Sequence, residues 1–389
     1  MTTLSRRSFL MWAAAQVVPS KPQRVVLMMC DGFGLDYLAA SDMPTLARWK
    51  QVGIFKSVRG VMPSVTNANN ASICCGTWPS THGITGNSYW DGRAGREEYM
   101  ESAPLLLTPT LFERAARHGI KSALLSSKKK TTTLLPRGAE VVLTAESPTA
   151  EWVARLGPAP DIYSREINYW LLRAAIDIVQ RRADVACPYV HTTDYPMHTW
   201  PPDARESKEH LARLDALLAE AVSVAPDAAF LLTADHGMHH KSQCWDLAKA
   251  CGNRGVPVRV AISAERDRYL QHHQGFGGTS WVYLDRPGDA DRVARVLSGL
   301  AGVAQVLTRA EAASQYHLMP DRIGELAVFA DRDTVFGDLD VEHEALPPTY
   351  RSHGSQAEID VPLFVYNAPA APSPDFFEHN FDVARWLYA

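Results

Sequence analysis

Short apolar runs that stop at a polar residue recur along this chain, and between them lie stretches whose apolar positions repeat at helical spacing. Arg24–Met29 reads as a buried strand ending at Cys30-Asp31-Gly32. Ser122–Ser126, Glu140–Leu143, Pro188–Thr192, Ala228–Thr233 and Val361–Tyr366 have the same character. Helical spacing marks Met43–Val52, the segment from just after Thr66 to Cys75, Thr108–His118, Ile167–Arg182 and Asp203–Ser223. Strand and helix in alternation predict an α/β fold with a mostly parallel central sheet flanked by helices on both faces. From Lys241 to Ala345 the pattern loosens, with Pro257–Ile262 and Ser280–Leu284 as strands and Asp291–Ser298 as a helix. The expected organisation is a core of residues 21–240 and 346–389, interrupted by a cap or insertion at 241–345.

Composition narrows the classes of function. The 389 residues are 46% hydrophobic and 21% charged, enough for a large core without staples. Lysine and arginine total 39 against 43 acidic residues, a formal charge of −4, so nothing points to nucleic acid as a partner. No apolar run is long enough to span a membrane. Residues 1–20 carry Arg6-Arg7 followed by a mildly apolar stretch and Ala13-Ala14-Ala15. That arrangement resembles a twin-arginine export signal and predicts a periplasmic or secreted protein, a frayed tail on a cytoplasmic protein being the alternative. The six cysteines form no C-x-x-C pair. Cys30, Cys74, Cys75 and Cys187 lie in apolar runs and read as small buried hydrophobes, whereas Cys244 and Cys251 could pair in an oxidising compartment.

Chemistry concentrates where the strands end. In open parallel sheets, ligands bind at the carboxyl ends of the strands. Asp31 follows the first strand, Asp194 follows Pro188–Thr192 with His198 four residues on, and Asp235-His236 follows Ala228–Thr233. His353 precedes the late strand Val361–Tyr366. A single aspartate there is explained as a helix cap. Three, with three histidines beside them, form a set suited to zinc or manganese. Pro63–Asn70 is a polar loop running into a helix, which sets the Thr66 hydroxyl in the positive field of a helix N-terminus; an ordinary N-cap is the plainer reading. Lys128-Lys129-Lys130 reads either as a solvated basic turn or as an anion-binding group. His239-His240 and His272-His273 suggest no defined role.

Taken in order, D-G at Asp31-Gly32, P-S-x-T-N-x-N-N from Pro63, H-G-I-x-G-N from His82, T-D-Y-x-x-H from Thr193, A-D-H-G-M from Ala234 and S-H-G from Ser352 resemble the alkaline phosphatase superfamily, nucleotide pyrophosphatase/phosphodiesterase branch. Within that branch, P-S-x-T-N-x-N-N and N-x-Y-W-D from Asn87 resemble the phosphonoacetate hydrolases. The resemblance covers Val25 to Tyr366. It implies an alkaline-phosphatase-like core and two Zn2+ ions, with Mn2+ or another divalent ion as substitutes. One site would use Asp194, His198 and His353; the other would use Asp31, Asp235, His236 and the Thr66 oxygen. Thr66 would be the nucleophile, forming a phosphothreonine, and Asn87 would hold a phosphoryl oxygen. Lys128 and Lys130 match the K-x-K spacing that binds the substrate carboxylate in phosphonoacetate hydrolases. The implied activity is hydrolysis of phosphonoacetate to acetate and phosphate. The alternative is a phosphodiesterase or nucleotide pyrophosphatase with the same metals and threonine. The implied partner is a small phosphonate or phosphodiester, with no stable membrane insertion and a homodimer as one possible assembly.

Overall fold

The computed structural model describes residues 24–268 and 274–388. The expected export signal within residues 1–20 and the pair His272-His273 lie outside the described residues.

Seven strands form the central sheet: β1 (Val25–Met29), β2 (Ile54–Arg59), β3 (Lys121–Ser126), β4 (Val141–Thr144), β5 (Val185–His191), β6 (Ala229–Thr233) and β7 (Asp360–Tyr366). Their order across the sheet is β2-β7-β6-β1-β5-β3-β4. β1 pairs in parallel with β5 and β6, and β3 in parallel with β4 and β5. β7 is antiparallel to both β6 and β2, so the sheet is mostly parallel with one reversed strand. β1 and β6 are buried at every position, which is why they read as continuous apolar runs rather than alternating ones.

The helices that matter for the site are α1 (Pro44–Val52), α2 (Thr66–Cys75), α3 (Leu111–Arg117), α4 (Lys129–Leu134), α5 (Glu166–Arg181), α6 (Tyr195–Thr199) and α7 (Arg205–Val224). Side chains alternate faces along a strand, so β1 sends Val26 and Met28 one way, toward Trp49 of α1, Leu172 of α5 and Leu217 of α7. On the opposite face Tyr189 of β5 donates its hydroxyl to Asn70 of α2. All ten residues of α2 are buried, although four of them are Thr66, Asn67, Asn69 and Asn70. A buried polar helix needs internal partners, and the asparagines supply them: Asn69 alone accepts from Val61 N and donates to Val61, Pro63 and Val65 carbonyls. α3 starts at Leu111, three residues later than the spacing predicts, because Thr110 and Glu113 close a capping box.

The register explains why scattered residues meet. Met29 lies opposite both His191 and Thr233. Asp31 and Asp235 each come two residues after that level, and Asp194 three, so all three leave the sheet at one edge. β7 runs the other way, so its start lies at that same edge and the preceding turn brings His353 there. β2 runs parallel to β6 and delivers the loop before Thr66 to the same place.

Residues 241–345 contain two small sheets. One has Val260–Ser263, Thr279–Tyr283, Leu326–Ala330 and Val303–Thr308 in that order; the other sets Gln243–Trp245 between Thr334–Phe336 and His343–Ala345. Ile262, Trp281 and Phe329 join the main hydrophobic core, while their neighbours Val282 and Val328 belong to a second apolar cluster with Trp245 and Leu297. Both faces of the four-stranded sheet are thus covered. Burial of each such side chain contributes about 1.5–3 kcal/mol. Cys244 and Cys251 are both buried free thiols, packed in separate apolar clusters, so the disulfide left open by the sequence is not formed. Among the described residues no helix is long and apolar enough to cross a membrane.

Candidate metal centre and its pocket

Six carboxylates and imidazoles expected at the sheet edge do converge there, and all are buried: Asp31, Asp194, His198, Asp235, His236 and His353. Ligand atoms of Asp31, Asp235 and His236 lie within 4.8 Å of one another, as do those of Asp194, His236 and His353. His236 therefore belongs to both groups. His198 packs beside the second, its Nε2 3.0 Å from Asp194 Oδ2. That contact follows from α6, which starts at Tyr195 and stacks positions 194 and 198 on one side.

The tautomers of the three histidines follow from their outer contacts. His198 Nδ1 lies 2.8 Å from the Arg351 carbonyl, His236 Nδ1 2.9 Å from the Gly237 carbonyl and His353 Nδ1 2.9 Å from the Ser64 carbonyl. A carbonyl oxygen only accepts, so each Nδ1 carries the proton and each Nε2 turns a lone pair inward. Those lone pairs meet other acceptors. His236 Nε2 is 3.3 Å from Asp235 Oδ2 and 3.6 Å from Asp31 Oδ1, and His353 Nε2 is 3.7 Å from Asp194 Oδ2. Burial pushes the His236 and His353 imidazoles below their usual range, so neither ring takes up a second proton to relieve this apposition near neutrality. Asp235 Oδ2 is itself buried with no hydrogen-bond donor among the described residues. Burial and the neighbouring Asp31 carboxylate push Asp235 well up from the ordinary carboxylate value. Inward acceptors with outward anchors are the arrangement that metal-ligating histidines require, and the donor set fits divalent cations.

Thr66, the first residue of α2, sits between the groups. Its Oγ1 is 3.3 Å from Asp31 Oδ1 and 3.2 Å from His236 Nε2. The inner oxygens of Asp31 and Asp194 face this centre, and their outer oxygens share one cation: Lys128 Nζ donates to Asp31 Oδ2 and Asp194 Oδ1, both at 2.8 Å. Burial raises the pKa of each carboxylate, but Lys128 outweighs it, assisted by His191 at Asp31, and both end below the ordinary range. Lys128 thus spans the two groups, a position that spacing alone does not reveal. Lys130 Nζ donates to Asn87 Oδ1 at 2.8 Å and to Asp267 Oδ2. Asn87 Nδ2 donates to the Glu265 carbonyl at 3.0 Å. Rather than a loose basic turn, Lys128 is the residue before α4 and Lys130 lies in its first turn. A cavity of about 420 Å³ opens over Thr66 and is lined by Lys128, Lys130, Glu265, Tyr99 and Tyr163.

Three contributors escape a reading based on strand ends. His191 lies inside β5, with Nε2 3.1 Å from Asp31 Oδ2 and Nδ1 near Asn70 Nδ2 and Ser126 Oγ. Glu265 and Asp267 come from the irregular region, where an acid–base alternation, Glu265-Arg266-Asp267-Arg268, was the available signal. Burial pushes the Glu265 carboxyl up to about 8. Of the histidines without a defined role, His239 bonds Glu358 at 2.8 Å, and Lys241 bonds the same carboxylate oxygen at 2.8 Å.

Known proteins share the family and the fold of this chain. The family model for type I phosphodiesterase / nucleotide pyrophosphatase matches residues 25–356. The phosphonoacetate hydrolase of Sinorhizobium meliloti 1021, solved in complex with phosphonoformate and with phosphonoacetate, superposes with a TM-score of 0.85 at 28% identity, covering 95% of this chain and 96% of that one. Murine ectonucleotide pyrophosphatase / phosphodiesterase 5 shares the fold, with a TM-score of 0.68 at 15% identity over 94% of each chain. Among curated proteins, a venom phosphodiesterase of Naja atra is 25% identical over 229 residues, which is 55% of this chain and 26% of that protein. The bis(5'-adenosyl)-triphosphatase enpp4 of Mus musculus is 24% identical over 235 residues, 58% of this chain and 48% of that protein. The chain thus spans about half or less of the length of these curated relatives.

Proposed function

The chain belongs to the type I phosphodiesterase / nucleotide pyrophosphatase family, and from that premise we propose that it hydrolyses the carbon–phosphorus bond of phosphonoacetate with two bound Zn2+ ions. The observation that carries the reading is the ring of inward-facing His Nε2 and Asp oxygens around the Thr66 hydroxyl. Asp31, Asp235 and His236 would hold one ion with the Thr66 oxygen, and Asp194, His198 and His353 the other. Bound there, the ions supply Lewis-acid stabilisation of the threonine alkoxide and of phosphoryl charge. Thr66 Oγ attacks phosphorus as the carbon–phosphorus bond breaks. The electron pair leaves on the acetate carbon, which takes a proton, and phosphothreonine remains until water releases phosphate. Asn87 donates to a phosphoryl oxygen. Lys130, with Lys128 close by, stabilises the enolate-like charge that the carboxylate carries as the bond breaks. In this reading residues 241–345 form a cap that brings Glu265 and Asp267 to the pocket.

A second reading has one observation in its favour. Tyr99, Tyr163 and Ile162 line the cavity beside the lysines, a surface on which a nucleoside or aryl group could rest. The zinc-loaded protein assayed with phosphonoacetate and with an aryl phosphodiester separates the two. Phosphate release from phosphonoacetate, lost in Lys130→Ala, is the expected result; a preference for the diester that survives Lys130→Ala rejects the phosphonate assignment. Thr66→Ala should lower turnover of either substrate by about 10³-fold or more while metal content stays within a factor of two. Undiminished turnover in that variant removes Thr66 from the chemistry.

A further inference from the structure

The segment Glu265-Arg266-Asp267-Arg268 follows the strand Val260–Ser263 and alternates acid with base. The bases reach to a neighbouring hairpin, Arg268 along the wall of the cavity. Arg266 Nε lies 3.1 Å from Glu97 Oε1, and Arg268 pairs with Glu101 while its guanidinium stacks 5.0 Å over the Tyr99 ring. Both arginines thus fasten the segment to the hairpin Ser88–Asp91/Arg96–Tyr99 and the residues after it. The acids point inward: the Glu265 carboxylate comes 3.8 Å from His353 Nε2, and Asp267 pairs with Lys130. This inward pair is enclosed, with only 9% of the Lys130 side chain and 3% of the Asp267 side chain exposed.

An ammonium has three N–H donors, and Lys130 directs one to Asn87 and another to Asp267. A ligand carboxylate arriving at Lys130 must either displace Asp267 or bind beside its negative charge. A ligand anchored through its phosphoryl group alone meets neither condition. We propose that Asp267 is a specificity-determining residue, an internal carboxylate that competes with the carboxylate of the substrate for Lys130. Arg266 and Arg268 hold it in that position. Asp267 therefore weakens carboxylate-bearing ligands selectively and favours release of the carboxylate product. The inference rests on the phosphonate reading above.

The test is calorimetric and uses the zinc-loaded full chain carrying Thr66→Ala, so that ligands bind without turnover. Phosphonoacetate and ethylphosphonate form the probe pair, alike at phosphorus and differing in the carboxylate. Adding Asp267→Asn should tighten phosphonoacetate about tenfold and move ethylphosphonate less than about twofold. Asp267→Ser, whose side chain is too short to reach Lys130, should act in the same direction. An equal shift for both ligands, or weaker phosphonoacetate binding, overturns the proposal. Lys130→Ala in the same background distinguishes the two levels of failure. If it weakens phosphonoacetate while Asp267→Asn does not tighten it, only the competitor role is lost. If it changes neither ligand, the phosphonate assignment is lost and the role of Asp267 with it.

Discussion

Single residues show how this site manages buried charge. Glu358 is fully enclosed, and burial alone would raise its pKa; Lys241 and His239 outweigh that and hold it at about 2, against an ordinary value of 4.5. A carboxylate depressed on folding stabilises the protein fully above its unfolded pKa. That contribution, on the order of 3 kcal/mol, is lost as pH falls from about 4.5 through about 2. Glu358→Gln should therefore flatten the acid-unfolding profile in that window. At neutral pH it should cost about 3–5 kcal/mol, because Lys241 stays buried without its anion. Denaturant titrations of both proteins from pH 7 to pH 2 check the two effects; parallel profiles would show that the ion pair does not carry the acid sensitivity. The depressed His236 and His353 point to a second pH effect. Protons compete weakly for their Nε2 atoms, so bound zinc should survive dialysis below pH 6.5, where an ordinary imidazole begins to protonate. Metal loss centred at or above pH 6.5 would contradict those burial-driven shifts.

At the level of the element, α2 carries the greatest demand. Its first residue is Thr66, and its approach is held by Asn69, which bonds Val61, Pro63 and Val65 on the incoming loop, and by His353, which bonds the Ser64 carbonyl. Asn69→Ala removes the acceptor of the Val61 N–H and the donor to three carbonyls. A loss of about 2–4 kcal/mol in stability is expected, with a fall in turnover larger than any rise in KM as Thr66 loses its placement. Equilibrium unfolding together with steady-state kinetics would show it. The existence of this helix was legible, as were the strands that end at Asp31, Asp194 and Asp235, because each announces itself within a few residues. Pairing was not. β2 is an edge strand with a half-exposed pattern, and β7 looks like any parallel strand until its reversed register is seen. His191 was invisible for a related reason: it sits within a strand that reads as core, and its function comes from a neighbour 160 positions away. Lys128 was found by its K-x-K spacing, yet its bridge between Asp31 and Asp194 depends on tertiary distances that spacing does not encode.

Across the whole molecule, the sheet edge gathers acidic groups where water does not reach them. Asp31, Asp194, Asp235 and Glu265 are all buried around one centre. Divalent cations should therefore act as structural as well as catalytic components. Adding zinc to chelator-treated protein should raise its stability by about 2.7 kcal/mol at a free concentration 100 times the dissociation constant. Differential scanning calorimetry before and after chelation reads this directly, and identical transitions would argue against ions at the centre. The ligand groups also draw on distant parts of the chain: Asp31 with Asp235 and His236 in one, Asp194 with His236 and His353 in the other. During translation the two therefore become available at different times. The first group is complete once the ribosome has passed residue 236, whereas the second waits for more than a hundred further codons, until His353 has emerged. In the two-ion reading proposed above, synthesis itself would set an order: the residues of one ion's site exist well before those of the other.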